Sequence, residues 1–282
     1  MISFDDMTRT TRTVIADTNM IIDIDKLFDI LPITECVEPV KKRGRKRKDS
    51  INVPLVLPNG SIVSAKYGDK HKGLQSSNGK AAFKNSVTIV MEIKHRRVNF
   101  KLSKNGRFQI TGNNDDYHVE KCVKYMWKII KEHEDLYTIN GTSLKVTFWS
   151  SMTNFKVNIG MRIDRQELNT YINKNTEYVS VFETSSGSAS VNIKMPLIFQ
   201  DKQLNTMVYR SNKWVKGTVS YTDFMKKTSG KALNTSNRFI SFLVFHTGEL
   251  IMTSTDKESM RPYFYKFMSI IEECKELLTP TC

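Results

Sequence analysis

Seven of the eight residues from Lys41 to Lys48 are lysine or arginine, and only Gly44 interrupts them. A run of this kind does one thing well, which is to neutralise phosphate charge. Its Arg43-Gly44-Arg45 centre has the form of a small hook that enters an A·T-rich minor groove, without the proline usual in such hooks. A nuclear localisation signal and a non-specific phosphate-binding arm are the plainer readings of the same residues. Other chemistry is sparse. Cys36, Cys122, Cys274 and Cys282 form no CxxC pair, and the five histidines are scattered. His118 and Cys122 are four apart on an expected helix but supply only two ligands, so no metal site and no cofactor is assigned. We find no paired acid and base, no nucleophile constellation and no phosphate-cradling glycine loop, and the expectation is a protein that is not an enzyme.

The chain around these residues has 282 positions, 39% of them hydrophobic, enough for one large or two modest cores. A formal net charge of +14 favours polyanionic partners. Taking away the basic run still leaves about +7, so the charge is spread through the chain. The start is polar and no apolar run approaches ~18 residues. A soluble intracellular protein without a membrane partner is therefore expected.

Self-comparison finds a repeat. A shift of 142 places Gly106, Thr111, Tyr125, Met126 and Ile129 on Gly248, Thr253, Phe267, Met268 and Ile271, and a shift of 141 places the block from Met20 on that from Met161. Two blocks with nearly one offset imply duplication, with halves at 1–140 and 141–282. Each half reads as a strand (Thr11–Ile22; Asn154–Ile163), a short helix (around Leu27–Leu31; Leu168–Ile172), then further strands and a long closing helix. The later strands are expected at Val87–Ile93, Val98–Leu102 and Arg107–Thr111 in the first half. In the second they are Ser190–Met195, Phe239–Phe245 and Glu249–Thr253, and Asn105-Gly106 and Thr247-Gly248 mark the turns. Val119, Cys122, Val123, Met126, Ile129 and Ile130 share one face of the first long helix, and Phe264, Phe267, Met268 and Ile271 that of the second. Asn114-Asp115 and Thr255-x-x-Glu258 are the expected N-caps, with Pro262 in a first turn. Residues 33–80 and 196–237 read as insertions in loops, the second with room for a hairpin.

A sheet backed by helices on one side alternates apolar and polar residues. The first half obeys, with Phe100, Leu102, Phe108 and Ile110 on one side and Asn99, Lys101, Ser103, Arg107, Gln109 and Thr111 on the other. The second departs, because Leu243, Phe245 and Ile251 put large apolar groups on the face opposite Phe242, Val244, Leu250 and Met252. Two readings cover that face: the 196–237 insertion folds over it, or a nucleic-acid groove does, since apolar side chains pressed into the minor groove partly unstack base steps.

Strand, helix, strands and long helix, twice over, resembles the TATA-box-binding protein family. "FLVFHTGELIMTS" at Phe242–Ser254 is similar to that family's second-repeat signature, and "MEIKHRRVNFKLSKNGRFQITG" at Met91–Gly112 to its first repeat. "MTN" at Met152–Asn154 resembles the strand whose asparagine reads the minor groove. The two insertions look most like those of the divergent members found in large DNA viruses. The resemblance implies an α+β fold, a TBP-like saddle of two pseudo-symmetric repeats whose curved antiparallel sheet carries helices on its convex side. It implies minor-groove contacts from Asn154, Leu243, Phe245, Ile251 and Thr253 in the second repeat and from Thr13, Lys101, Ser103, Gln109 and Thr111 in the first. The family's four intercalating phenylalanine positions fall on Ser86, Ser103, Ser188 and Phe245. Glu92 stands where the family has a phosphate-contacting arginine, with Lys194 basic at the paired position. Together with Arg43 and Arg45 these make the candidate DNA-binding set. The implied function is transcription initiation: binding double-stranded promoter DNA as a monomer and helping recruit RNA polymerase, with a TFIIB-like factor as a further partner. The alternative is a saddle-fold module for protein partners, or sequence-non-specific architectural DNA binding. The implied location is the nucleus or a cytoplasmic viral factory, with packaging in the virion.

Overall fold

The computed structural model describes residues 2–36, 57–74, 84–112, 115–184, 189–198, 200–229 and 238–278. Its first elements are β1 (Thr8–Thr18), β2 (Met20–Ile22), α1 (Ile24–Ile30), β3 (Ile62–Tyr67), β4 (Lys70–Gly73), β5 (Ser86–Ile93), β6 (Arg96–Ser103), β7 (Phe108–Gly112) and α2 (Asp116–Ile130). Then come β8 (Tyr137–Ile139), β9 (Leu144–Asn158), α3 (Arg165–Asn175), β10 (Val179–Glu183), β11 (Ser190–Pro196), β12 (Gln203–Arg210), β13 (Lys213–Ser220), α4 (Tyr221–Ser229), β14 (Phe239–Phe245), β15 (Glu249–Ser254), α5 (Arg261–Glu273) and α6 (Lys275–Leu278). The class is α+β, with antiparallel ladders and few helices.

The chain forms two compact units. Unit one is Met1–Thr13, Trp149–Asn205 and Gly217–Cys282; unit two is Val14–Phe148 and Thr206–Lys216. In unit one the strand order is β10-β11-β14-β15-β9; in unit two it is β1-β7-β6-β5-β3-β4. Each unit has its own core. In unit two Phe100, Leu102, Phe108 and Ile110 meet Val119, Cys122, Val123, Met126 and Ile130 of α2. In unit one Phe242, Val244, Leu250 and Met252 meet Phe264, Phe267 and Ile271 of α5. The Phe242 and Phe267 rings stack at 4.8 Å between centroids. Fully burying side chains of this size contributes roughly 1.5–3 kcal/mol each, so the apolar stripe of each helix is what fixes it to its sheet.

The two units repeat one turn in detail. Gly106 N–H donates to the Ser103 carbonyl at 2.9 Å and Gly248 N–H to that of Phe245 at 3.0 Å. Both glycines have positive φ, 69° and 78°. Ile22 N–H then donates to Lys104 O at 2.9 Å and Ile163 N–H to His246 O at 3.0 Å. Asp23 caps α1 through the Lys26 N–H, and Asp164 caps α3 through the N–H groups of Gln166 and Glu167.

Several sequence expectations change. Asp115 does cap α2, accepting from His118 N–H at 3.0 Å. Thr255 does not cap the last long helix. Asp256 accepts the Ser259 N–H instead, a 3-10 turn covers Glu258–Met260, and α5 begins at Arg261 with Pro262 in its first turn. The 33–80 insertion is more than loop: β3 pairs with β5 and β4 with β3, burying Ile62, Val63 and Ala65. The 196–237 insertion carries a hairpin of its own, β12 paired with β13. The β12–β13 hairpin lies beside β9, and Met207, Tyr209 and Trp214 join the core of unit two, with Tyr209 5.6 Å from the Trp127 ring. Its aromatic residues found an apolar site that no local pattern advertises.

The β5–β6 turn is strained. Ile93 and Arg96 face each other across Lys94 and His95, which have φ of 48° and 58°. Such a two-residue turn favours Asn-Gly because a Cβ resists positive φ. His95→Gly is therefore expected to raise stability by about 0.5–1 kcal/mol, read from urea denaturation. A loss of stability would mean that contacts of the His95 side chain outweigh the strain.

Candidate nucleic-acid interface

The face of the unit-one sheet away from α5 is built in rows across the strands. Asn192, Leu243, Ile251 and Lys156 form one row by strand register, and Lys194, Ser241, Thr253 and Asn154 the next. Leu243, Phe245 and Ile251 are half-buried, whereas their neighbours of opposite parity are fully buried, which is the expected division between core and open face. Thr253 Oγ1 donates to Asn154 Oδ1 at 2.9 Å, which orients the amide by its acceptor oxygen and leaves Nδ2 outside that bond. Lys156 Nζ lies 2.5 Å from Glu249 Oε2. Asn192 Nδ2 donates to Glu183 Oε1 at 3.3 Å, and its buried Oδ1 has no donor among the described residues. Val179 and Val181 of edge strand β10 are more than half exposed on the same parity as Lys194 and Asn192.

The matching face of unit two is polar. Lys101 stands opposite Gln109, and Asn99 opposite Thr111. Lys101, Ser103 and Gln109 line a cleft of about 650 Å³ with Ser86, Lys104 and Arg107, so three cations share it. Arg107 Nη2 is 2.9 Å from Asp17 Oδ2.

Register settles which positions correspond. Ser86 faces Ser103, and Ser190 faces Phe245. The counterpart of Ser86 is therefore Ser190, and not Ser188, which lies outside the described residues. The same offset equates Lys194 with Val90, and Glu92 with Pro196, so Lys194 is not the partner of Glu92. Of the remaining expected residues, Thr13 is only 6% exposed, its carbonyl accepting from Ser151 Oγ at 3.3 Å. Arg43 and Arg45, with the whole basic run, lie outside the described residues, as do Asn114 and Cys282.

Sequence reasoning missed Lys156 and Ser190, which strand parity finds once the register is known, and Lys104, which lies in the turn after β6. Among the described residues no group of three or more His, Cys, Asp or Glu is placed to hold a metal ion. Burial pushes the Cys274 thiol up to about 11, and burial raises Cys122 further. Neither is a ready nucleophile. No described helix is long and apolar enough to cross a membrane.

Among solved structures the chain is similar to Methanococcus jannaschii TBP. Identity is 10%, the match covers 95% of this chain and 98% of that one, and the TM-score is 0.47. No family model and no curated protein matches the chain.

Proposed function

We propose that the chain is a DNA-binding transcription initiation factor that applies the open sheet face of each unit to the minor groove of promoter DNA and helps recruit RNA polymerase, with a TFIIB-like factor as partner. The observation that carries this is the pair of adjacent rows in unit one, Leu243 opposite Ile251 beside Asn154 opposite Thr253. The minor groove of A·T pairs offers only acceptors along its floor. An amide donor set beside apolar side chains suits that surface, because the apolar groups press on sugars and base edges while the amide bonds an acceptor. Lys194 and Lys156 extend the two rows with positive charge, and the chain's +14 supplies the long-range attraction. The sequence resemblance to the TATA-box-binding protein family supports the same assignment.

A second reading has its own support. Ser86 faces Ser103 in unit two, so neither member of that pair can unstack a base step, and the cationic cleft beside them suits phosphates of any sequence. This favours architectural binding without promoter preference. Selection of bound duplexes from a random pool at fixed salt separates the two. An initiation factor enriches an A·T-rich element, and an architectural protein binds duplex without enrichment. Failure to bind duplex at all would sink both and leave a protein-partner surface.

A further inference from the structure

Two backbone contacts within unit one tie together segments that flank the β12–β13 hairpin, and each involves a cation. Leu197 N–H donates to Arg238 O at 2.8 Å, and Tyr221 N–H donates to Lys202 O at 2.8 Å. These contacts bring Lys202, Arg238 and the first residue of α4 together. They wall a cavity of about 290 Å³ against Trp149, Ser150 and the open-face residues Ser241 and Thr253. No carboxylate lines it.

Its charge is concentrated. Arg238 Nη2 donates to Tyr221 Oη at 2.7 Å, and its guanidinium lies 4.9 Å from the centre of that ring. The Lys202 ammonium lies 6.0 Å from the same centre. Arg12, which is not part of the lining, donates from Nε to Ser150 Oγ at 2.8 Å, so a third cation stands behind the wall. Carboxylates stand on the other side of the same cations: Asp256 Oδ2 is 3.8 Å from Lys202 Nζ, its oxygens also accept from Ser259 N–H and Thr255 Oγ1, and Asp201, Asp256 and Glu258 line the adjoining cavity that shares Lys202 and Arg238. Burial holds the Lys202 ammonium below the ordinary lysine range; Asp256 pulls it back up, while Arg238 and Arg12 add to the depression. Gathering like charges in a partly desolvated site is unfavourable until an anion enters. Trp149 also lines the cavity, and its buried indole N–H has no acceptor among the described residues.

We propose that this cavity binds a phosphate group, with Lys202 and Arg238 as its charged arms and the Trp149 N–H and the surrounding hydroxyls as neutral donors. A wall of donors with no carboxylate is matched to a tetrahedral oxyanion. The phosphate comes from one of two sources. Ser241 and Thr253 belong to the open face, so a backbone phosphate of bound duplex is within reach, a case that rests on the DNA-binding reading. A soluble phosphate compound is the other source and does not depend on that reading.

Titrating the full chain with inorganic phosphate, balanced by chloride at constant ionic strength, tests the cavity through tryptophan emission. A saturable change is expected that Trp149→Phe removes. Lys202→Gln with Arg238→Gln should weaken it roughly tenfold or more. Ser241→Asp, which exchanges one wall hydroxyl for a carboxylate, should block it, and Lys202→Arg should keep it. In parallel, the slope of log duplex affinity against log salt is measured for parent and double variant. A slope lower by about one in the variant marks a backbone phosphate. An unchanged slope with a lost phosphate response marks a soluble ligand. The proposal is overturned if phosphate gives no saturable response and the slope is unchanged, or if the response survives both the double variant and Ser241→Asp. A parent that binds phosphate but no duplex would end the DNA-binding reading and leave the cavity assignment standing.

Discussion

Phe245→Ala is expected to weaken duplex binding by roughly 1–3 kcal/mol, about fivefold to a hundredfold, while Ser103→Ala leaves it within about twofold. The two residues are a matched pair. Each ends its strand, each accepts the N–H of the following turn glycine, and each faces a serine across the sheet. Only the side chain differs, so the comparison isolates apolar insertion from position. Phe245 belongs to the open face and not to the core of unit one, so the thermal stability of the variant should stay close to that of the parent. Any kink in the DNA should accordingly lie on the side contacted by unit one. Bend angles from fluorescence of end-labelled duplexes, with affinity measured at one salt concentration, check both parts. A Phe245→Ala protein that binds and bends like its parent would move the apolar face to a protein partner.

The largest effect on stability is expected at the turn glycines. A Cβ on Gly248 would sit 2.1 Å from the Met161 carbonyl oxygen, and one on Gly106 2.2 Å from that of Met20. Both contacts are with backbone, which cannot swing aside, and both positions have positive φ. Gly248→Ala and Gly106→Ala should each cost about 2–4 kcal/mol, from strain and the forced shift of the strand that follows. Gly160 provides the control in unit one: its φ is 78°, but nothing lies within 4 Å of the added carbon. Gly160→Ala should cost about 1–2 kcal/mol from conformation alone. Urea denaturation of the three variants decides the matter. Equal losses at Gly160 and Gly248 would show that the close carbonyl is not what demands glycine.

Much of this architecture is local in origin, and local patterns are what a sequence displays. The alternation in β6, β7, β14 and β15 sorted core from open face, since a period of two admits only one assignment once the apolar set is chosen. Spacings of three and four placed the stripes of α2 and α5, and the shared offset of 142 tied the halves together. Strands β1 and β9 resisted the same reading. In β9, Leu144 and Val146 are buried in one core while Phe155 and Val157 are buried in the other, so the inward parity changes along a single strand. In β1 Thr13, Val14, Ile15 and Ala16 are buried in succession, so no alternation shows there. A strand that serves two cores shows no unbroken alternation, and the expected strand therefore started ten residues late, at Asn154. Other features exist only once distant segments meet. Ser190 faces Phe245 only through the register of β11 against β14. Nothing local in the β12–β13 hairpin shows that its aromatic residues pack with Trp127. The cation-lined cavity unites Trp149, Lys202, Tyr221 and Arg238, which no spacing rule connects. Secondary structure follows from short-range periodicity; which residues share a wall depends on long-range packing, where burial and charge are settled by neighbours far away in the chain.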